Sequence, residues 1–117
     1  MASGGLATGG GRVGRAARDE RSGIVTRLVF RVHAIRRMFE RGVGVEEIMH
    51  VVAAADVIEA RPDDLPYPTR LLLGRFRGRP LHVLVADATV ERQTIVITVY
   101  EPDPALWRPG FRRRRRP

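Results

Sequence analysis

The 117-residue chain contains no cysteine and no lysine. The lack of cysteine excludes disulfide bonds, thiolate metal sites and thiol catalysis, and it is compatible with the cytoplasmic location that we expect. No run of 18 apolar residues occurs, so no membrane span is predicted. Residues 1–11 also lack the apolar segment of a secretory signal, so no such signal is predicted.

All 21 basic residues are arginine, and the net charge is +8. This usage, together with abundant Ala, Gly, Val and Pro, is typical of a GC-rich genome. Arginines that result from base composition are weaker evidence for a function than arginines selected because the planar guanidinium can form two parallel hydrogen bonds. The excess charge lies at the ends, since residues 25–107 hold 11 arginines against 11 acids. Any site in the middle of the chain must therefore depend on local clusters of residues.

Three regions differ in composition and hydrophobic pattern. Residues 1–24 are rich in Gly, Ala, Ser and Arg without hydrophobic periodicity, which predicts a disordered basic leader. Residues 25–107 carry the periodicity and are predicted to form a single α+β domain, because 117 residues are enough for one domain and too few for two. Residues 108–117 are predicted to be a disordered Arg-rich C-terminal tail.

Two helices are predicted where apolar residues recur every three or four positions. The first spans about 33–41, has an apolar stripe of Ala34, Ile35, Met38 and Phe39, and ends before a glycine that suits the left-handed terminal position. The second spans about 45–54 and begins with two glutamates that complement its positive N-terminus. Both helices precede all of the clearly alternating segments.

Strands are predicted from the alternation that follows, at residues 56–60, 69–77, 81–87 and 94–100. Residues 25–30 form either a short strand or an extended lead-in. Three prolines exclude regular structure from residues 61–68, and Gly78 suits a hairpin turn. This order predicts two N-terminal helices packed on a three- or four-stranded antiparallel sheet.

Several short motifs, taken in order, resemble a known family. The matching segments are Phe30–Val43, Val57–Glu59, Arg79–Val83 and Ile97–Pro102. Together they resemble the domain of unknown function 4258 family over residues 29–111, although Gly44 stands where that family often has Ser or Thr. The resemblance implies a RelE-like fold, a ribonuclease-like or ribosome-associated toxin and a protein antitoxin, by analogy of fold.

His33, Arg37 and Arg41 lie four residues apart and share one flank of the first predicted helix. Histidine suits acid–base chemistry because its ordinary pKa lies near neutrality, and the two arginines could stabilise a phosphorane. The alternative is a solvated flank whose arginine stems lie along the edge of the core. RNA cleavage by a 2′-hydroxyl needs only a base, an acid and phosphate stabilisation, so no metal or other cofactor is predicted.

His82, Thr98 and Tyr100 are the candidates on the predicted strands. If His82 reached the cleft of His33, the two would form an acid–base pair; otherwise His82 is a hydrogen-bonded residue at the sheet edge. Tyr100 could stack on a base or donate to a phosphate, and Thr98 projects from the same strand face. The alternative is that Thr98 and Tyr100 are a cross-strand packing pair.

The arginines of the C-terminal tail are a candidate nucleic-acid-binding group: Arg112, Arg113, Arg114, Arg115 and Arg116. Such a run binds phosphates electrostatically and without specificity, and an acidic partner protein is the alternative ligand.

These patterns predict a toxin-like, RNA-acting module, in the form of a metal-independent endoribonuclease of a toxin–antitoxin pair. Its predicted catalytic residues are His33, Arg37, Arg41, His82 and Tyr100. Its predicted partners are RNA or the ribosome and a cognate antitoxin, with no membrane. The alternative is a noncatalytic domain that binds RNA or a protein.

Overall fold

The computed structural model describes residues 13–18 and 25–116, with side chains from residue 27 onward. In chain order its elements are β1 (Val13–Arg18), β2 (Val25–Phe30), α1 (Val32–Arg41), α2 (Val45–Ala54), β3 (Asp56–Arg61), β4 (Thr69–Phe76), β5 (Arg79–Ala88) and β6 (Gln93–Tyr100). The α+β class is confirmed, and both predicted helices and the four strands after them lie within two residues of their predicted bounds.

The ends of α1 and α2 have local causes. Gly42 terminates α1 with a φ of 69°, in the left-handed region that glycine adopts without strain. At the start of α2, the carboxylate of Glu47 accepts a hydrogen bond from the Gly44 backbone N–H at 2.8 Å. Glycine has no side chain to return this bond, so α2 begins with half of a capping box.

The sheet is larger than predicted and is mixed. Its six strands follow the order β1-β2-β6-β5-β4-β3, and β2 runs parallel to β6 while the other neighbours are antiparallel. The prediction of three or four antiparallel strands is therefore wrong. A parallel pair requires a long crossover connection, and here that connection contains α1, α2 and three strands. Local alternation cannot reveal a pairing between segments so far apart.

The strand β2 lies inside the sheet, and its apolar side chains are buried on both faces. Leu28 and Phe30 belong to the main core beneath the helices, whereas Val29 packs with Ala86 and Ile95 on the opposite face. The side chains of Leu28, Val29 and Phe30 are almost fully buried. A continuous apolar run of this kind is typical of a strand between two layers.

Both helices pack on one face of the sheet. Ala34 and Met38 of α1 join Ile48 and Val51 of α2 in the main core, over Val83 and its neighbours on the central strands. Phe39, predicted within the apolar stripe, is instead 86% exposed. No helix in the described part of the chain is long and apolar enough to cross a membrane.

The two ends of the chain differ from the predicted disorder. Residues 13–18 form β1, which pairs antiparallel with β2 along its whole length. A strand edge can recruit a segment through backbone hydrogen bonds alone, so the lack of apolar periodicity does not exclude a strand there. The rest of the predicted leader lies outside the described residues. At the other end, residues 103–116 form a turn that is held by its own backbone hydrogen bonds and by a bridge from Trp107 to Arg114.

Gly74 is where α2 and β4 approach most closely, and this contact yields a first prediction. A Cβ atom at residue 74 would lie 2.5 Å from Val51 Cγ1 and 3.3 Å from the Val51 carbonyl oxygen. We expect Gly74→Ala to lower the free energy of unfolding by about 1–3 kcal/mol, because the packed interface must shift. In a denaturant titration, the Val51→Ala background should recover part of this loss, and a purely additive double variant would contradict the contact.

Candidate functional site

Residues 103–116, here called the C-terminal segment, cover part of the sheet face that lacks helices. The Arg108 N–H donates to the Arg113 carbonyl at 2.8 Å, and the Arg115 N–H donates to the Leu106 carbonyl at 2.9 Å. Trp107 is only 2% exposed. The segment is thus a small folded turn with its own backbone bonds and an aromatic anchor.

Acidic residues of β3 hold the arginines of the C-terminal segment. Arg114 donates to both carboxylate oxygens of Glu59, at 2.7 and 3.1 Å, and its guanidinium lies 4.6 Å from the centre of the Trp107 ring. Arg112 pairs with Asp56. The sequence predicts a disordered tail, whereas the structure pairs Arg112 and Arg114 with carboxylates that lie more than 50 residues earlier in the chain.

Only part of the arginine run keeps its guanidinium free. Arg115 donates to the Pro104 carbonyl at 2.8 Å. Arg113 and Arg116 are exposed, and neither side chain has a partner among the described residues. The predicted RNA contact of all five arginines is untested, and the folded segment leaves Arg113 and Arg116 available for it without loss of another bond.

His82 is fully buried under the C-terminal segment. Its Nε2 lies 2.9 Å from the Phe111 carbonyl oxygen and its Nδ1 lies 3.2 Å from the Tyr100 hydroxyl. Since a carbonyl oxygen can only accept, Nε2 must carry a proton, and a neutral ring then accepts at Nδ1 from Tyr100. The Trp107 ring meets His82 edge to face at 4.5 Å. Both ring nitrogens are therefore engaged in holding the segment.

Burial and ion pairing shift the pKa values in this cluster. Burial is the main cause that lowers the pKa of His82 below 6.5, and burial also raises the pKa of the Tyr100 hydroxyl above 10.0. The hydrogen bonds from Arg114 lower the pKa of Glu59 below 4.5. Near neutral pH, His82 is neutral and Glu59 is ionised, which are the states that their contacts require.

The predicted row His33, Arg37 and Arg41 lies on the exposed side of α1. Arg37 pairs with Glu40 at 3.0 Å, one turn further along the helix. Arg41 reaches Glu101 at 3.5 Å, just beyond the end of β6. These three side chains, called the α1 row below, do share one helix flank as the spacing predicts.

The structure does not bring His33 and His82 together. The buried side of α1 faces the core between helices and sheet, whereas His82 lies with Tyr100 on the sheet face that lacks helices. His33 is exposed and His82 is fully buried. A shared acid–base pair would need both imidazoles at one phosphate, so the two-histidine arrangement does not form here.

Glu101 is a residue whose importance the sequence did not reveal. Its carboxylate accepts from Arg79 at 2.6 Å as well as from Arg41, and so links α1 to the start of β5. Asp56 and Glu59 were likewise not recognised, although Glu59 falls within one of the motifs that carried the family resemblance.

Two clefts adjoin the C-terminal segment. The smaller, of about 90 Å³, is lined by Glu59, Arg61, Thr69, Leu71, Leu84, Tyr100 and Arg114. The larger, of about 580 Å³, lies among α2, β4 and the C-terminal segment. No cluster of three or more His, Asp or Glu residues suited to a metal occurs within the described ranges.

The family described as Domain of unknown function (DUF4258) matches residues 30–101, more than half of the chain. The chain belongs to the DUF4258 family. No curated protein and no solved structure matches it.

The matched region separates two parts of this DUF4258 domain. It contains the α1 row, His82 and Tyr100, whereas the C-terminal segment that covers His82 lies beyond residue 101. The elements from the end of β2 to Glu101 therefore form the family domain. The C-terminal segment follows the matched range and packs on the helix-free face of that domain.

Trp107 tests whether the C-terminal segment stabilises this DUF4258 domain. We expect Trp107→Ala to lower the free energy of unfolding by about 3–5 kcal/mol, because a buried aromatic side chain is lost and a cavity remains. The neighbouring Leu106→Ala, at a side chain that is 61% exposed, is the matched control and should change it by less than about 0.5 kcal/mol. Equal effects in chemical denaturation would show that the segment does not pack on the sheet.

Acid should weaken the contact between the segment and the sheet. Because folding lowers the pKa of His82, the unfolded chain takes up the proton first as pH falls, so the free energy of unfolding decreases below about pH 6.5. Because folding also lowers the pKa of Glu59, protonation of Glu59 decreases the free energy of unfolding further below about pH 4.5. Thermal melts from pH 7.5 to 5 should show this decrease, and it should be smaller in His82→Gln. Exposed His50→Gln is the control, and a decrease that persists unchanged in His82→Gln would refute the assignment.

Proposed function

We propose that this domain acts on RNA and that the α1 row binds the RNA backbone. One observation carries the proposal: His33, Arg37 and Arg41 remain together and exposed on one flank of a helix after folding. Arginine forks match phosphate oxygens, and a neighbouring imidazole can exchange a proton near neutral pH. Such a combination fits a phosphodiester better than a neutral ligand.

The ion pairs of the α1 row are compatible with phosphate binding. Arg37 and Glu40 are both about half exposed, and exposed pairs of this kind contribute little free energy. Arg41 shares Glu101 with Arg79, so two guanidiniums compete for one carboxylate. A phosphate can therefore bind Arg37 or Arg41 without leaving a buried charge unpaired.

His33 is the residue to which we assign proton transfer if the RNA is cleaved. It lies eight residues before Arg41, about 12 Å along the helix axis, so the row is long enough to follow a backbone rather than enclose one phosphate. His82 contributes structure in this proposal and takes no part in the reaction. A second acid or base would have to come from the RNA or from solvent.

A noncatalytic RNA-binding domain is the second candidate. The burial of His82 favours it, because cleavage by a 2′-hydroxyl needs both a base and an acid and the α1 row supplies a single imidazole. The toxin form of the proposal depends on the family resemblance. In that form a cognate antitoxin would cover the α1 row.

The α1 row should affect function more than stability. His33→Ala and Arg37→Ala should each cost about 1 kcal/mol or less, because both side chains are exposed. Met38→Ala should cost about 2–5 kcal/mol, since Met38 is almost fully buried in the core. RNA binding or cleavage, and growth arrest on induced expression, should fall sharply in the first two variants while both remain folded.

The exposed Arg36 provides a matched control on the same helix, away from the α1 row. Arg36→Ala removes the same charge and should retain activity. Folded and fully active His33→Ala and Arg37→Ala proteins would show that the row is not the site. Loss of cleavage but not of RNA binding in His33→Ala would identify a catalytic histidine, and a wild-type protein that neither binds nor cleaves RNA would refute the proposed function.

A further inference from the structure

Two arginines on β2 and at its end have buried nitrogen atoms without hydrogen-bond partners. These atoms are Nη1 of Arg27 and Nε of Arg31, and they are the buried side-chain atoms of this kind in the described part of the chain. Neither guanidinium forms an ion pair with a described residue. Leaving a charged donor buried and unpaired is unfavourable, so a folded protein usually satisfies such a group or reserves it for a ligand.

Both arginines project to the helix-free face of the sheet. Arg27 alternates with Val29, whose side chain packs on that face, and Arg31 continues the alternation with an extended backbone. The Arg31 N–H donates to the Val96 carbonyl at 3.1 Å and so prolongs the pairing of β2 with β6. The two α-carbons are about 13 Å apart, which lets the long side chains approach each other above Val29.

Neighbouring side chains on β6 add neutral polar groups to the two arginines. Gln93 is in register with Arg27, and Thr98 lies two residues beyond the carbonyl that accepts from Arg31. Neither Gln93 nor Thr98 has a side-chain partner among residues 27–116. Val29 and Ile95 form an apolar floor between them. No carboxylate within the described residues neutralises this group, which contrasts with the paired arginines of the C-terminal segment.

We infer that Arg27 and Arg31 bind phosphates of single-stranded RNA on the helix-free face. The inference rests on the proposed function and adds a second contact surface to it, separate from the α1 row. A phosphodiester supplies acceptor oxygens to the unpaired guanidinium nitrogens. Two successive phosphate contacts along the RNA match the two arginines on either side of Val29. Both arginines are partly buried residues, so each keeps some surface exposed to solvent.

RNA is favoured over an acidic protein by the composition of the site. The guanidinium forks suit phosphate, and Gln93 and Thr98 can exchange hydrogen bonds with sugar hydroxyl groups and base edges. A low-polarity floor strengthens each charged contact made above it. A carboxylate-rich peptide would use the arginines but not the mixed donors and acceptors on β6.

The test uses the full chain and a fluorescein-labelled, 12-nucleotide single-stranded RNA of mixed sequence. Arg27→Met and Arg31→Met, alone and together, retain most of the apolar stem and remove the charge. Arg75→Met is the matched control, because Arg75 is exposed on β4 and its side chain forms no hydrogen bond or ion pair with the described residues. Binding is followed by fluorescence anisotropy across a range of salt concentrations, together with the thermal midpoint of each protein.

The double variant should bind RNA at least about tenfold more weakly, with a log–log salt slope shallower by roughly 1.4, or about 0.7 for each lost phosphate contact. The control should stay close to wild type. The thermal midpoint of the double variant should be unchanged or higher, because no satisfied bond is removed. A double variant that is several degrees less stable would overturn the inference, since the guanidiniums would then stabilise the fold.

Two further outcomes separate this inference from the proposed function. If wild type binds RNA and the double variant binds equally well, the inference fails while the proposed function stands. If wild type shows no RNA binding, but inorganic phosphate raises its thermal midpoint through both arginines, the site binds anions and the assignment to RNA is overturned together with the proposed function.

Discussion

The parallel pairing of β2 with β6 is the constraint on which the rest of the structure depends. It places β2 inside the sheet and directs the chain from Phe30 straight into α1, which then packs against β6. Because α1 lies on one face, its histidine and arginines are separated by the sheet from His82 and Tyr100 on the other. The same pairing also leaves Arg27 and Arg31 on the helix-free face, beside the polar side chains of β6.

Electrostatics divides the arginines of this protein into two groups. Those of the C-terminal segment are largely satisfied by carboxylates on β3 and by Trp107, and they hold that segment over His82. Those on the α1 row are exposed in weak pairs, and Arg27 and Arg31 have no acidic partner in the described structure. Net charge alone would have assigned RNA binding to the first group, whereas the proposals for the others depend on the exposure of the α1 row and on the unsatisfied donors of Arg27 and Arg31.

Local sequence patterns were sufficient for most of the elements. The helix period, Gly42 and the alternation after residue 56 predicted two helices and four strands close to their observed bounds. The α1 row follows from the same helical spacing. Pairing was not predictable, because β2 meets β6 more than 60 residues later, and the contacts of Arg112 and Arg114 with β3 span a similar separation. Nothing in a short window of sequence encodes which distant carboxylate will lie beside an arginine.

The sequence by itself determined the class of fold, the family and which residues share a helix flank, since each of these follows from spacing within a few turns or strands. Only the tertiary structure decided that His82 is a buried hydrogen-bonding residue, that the arginine run is folded, and that Arg27 and Arg31 each have a buried nitrogen without a partner among the described residues. The reason is physical: burial and ion pairing are properties of neighbours in space, and in a mixed sheet with a long crossover most neighbours are distant in the chain.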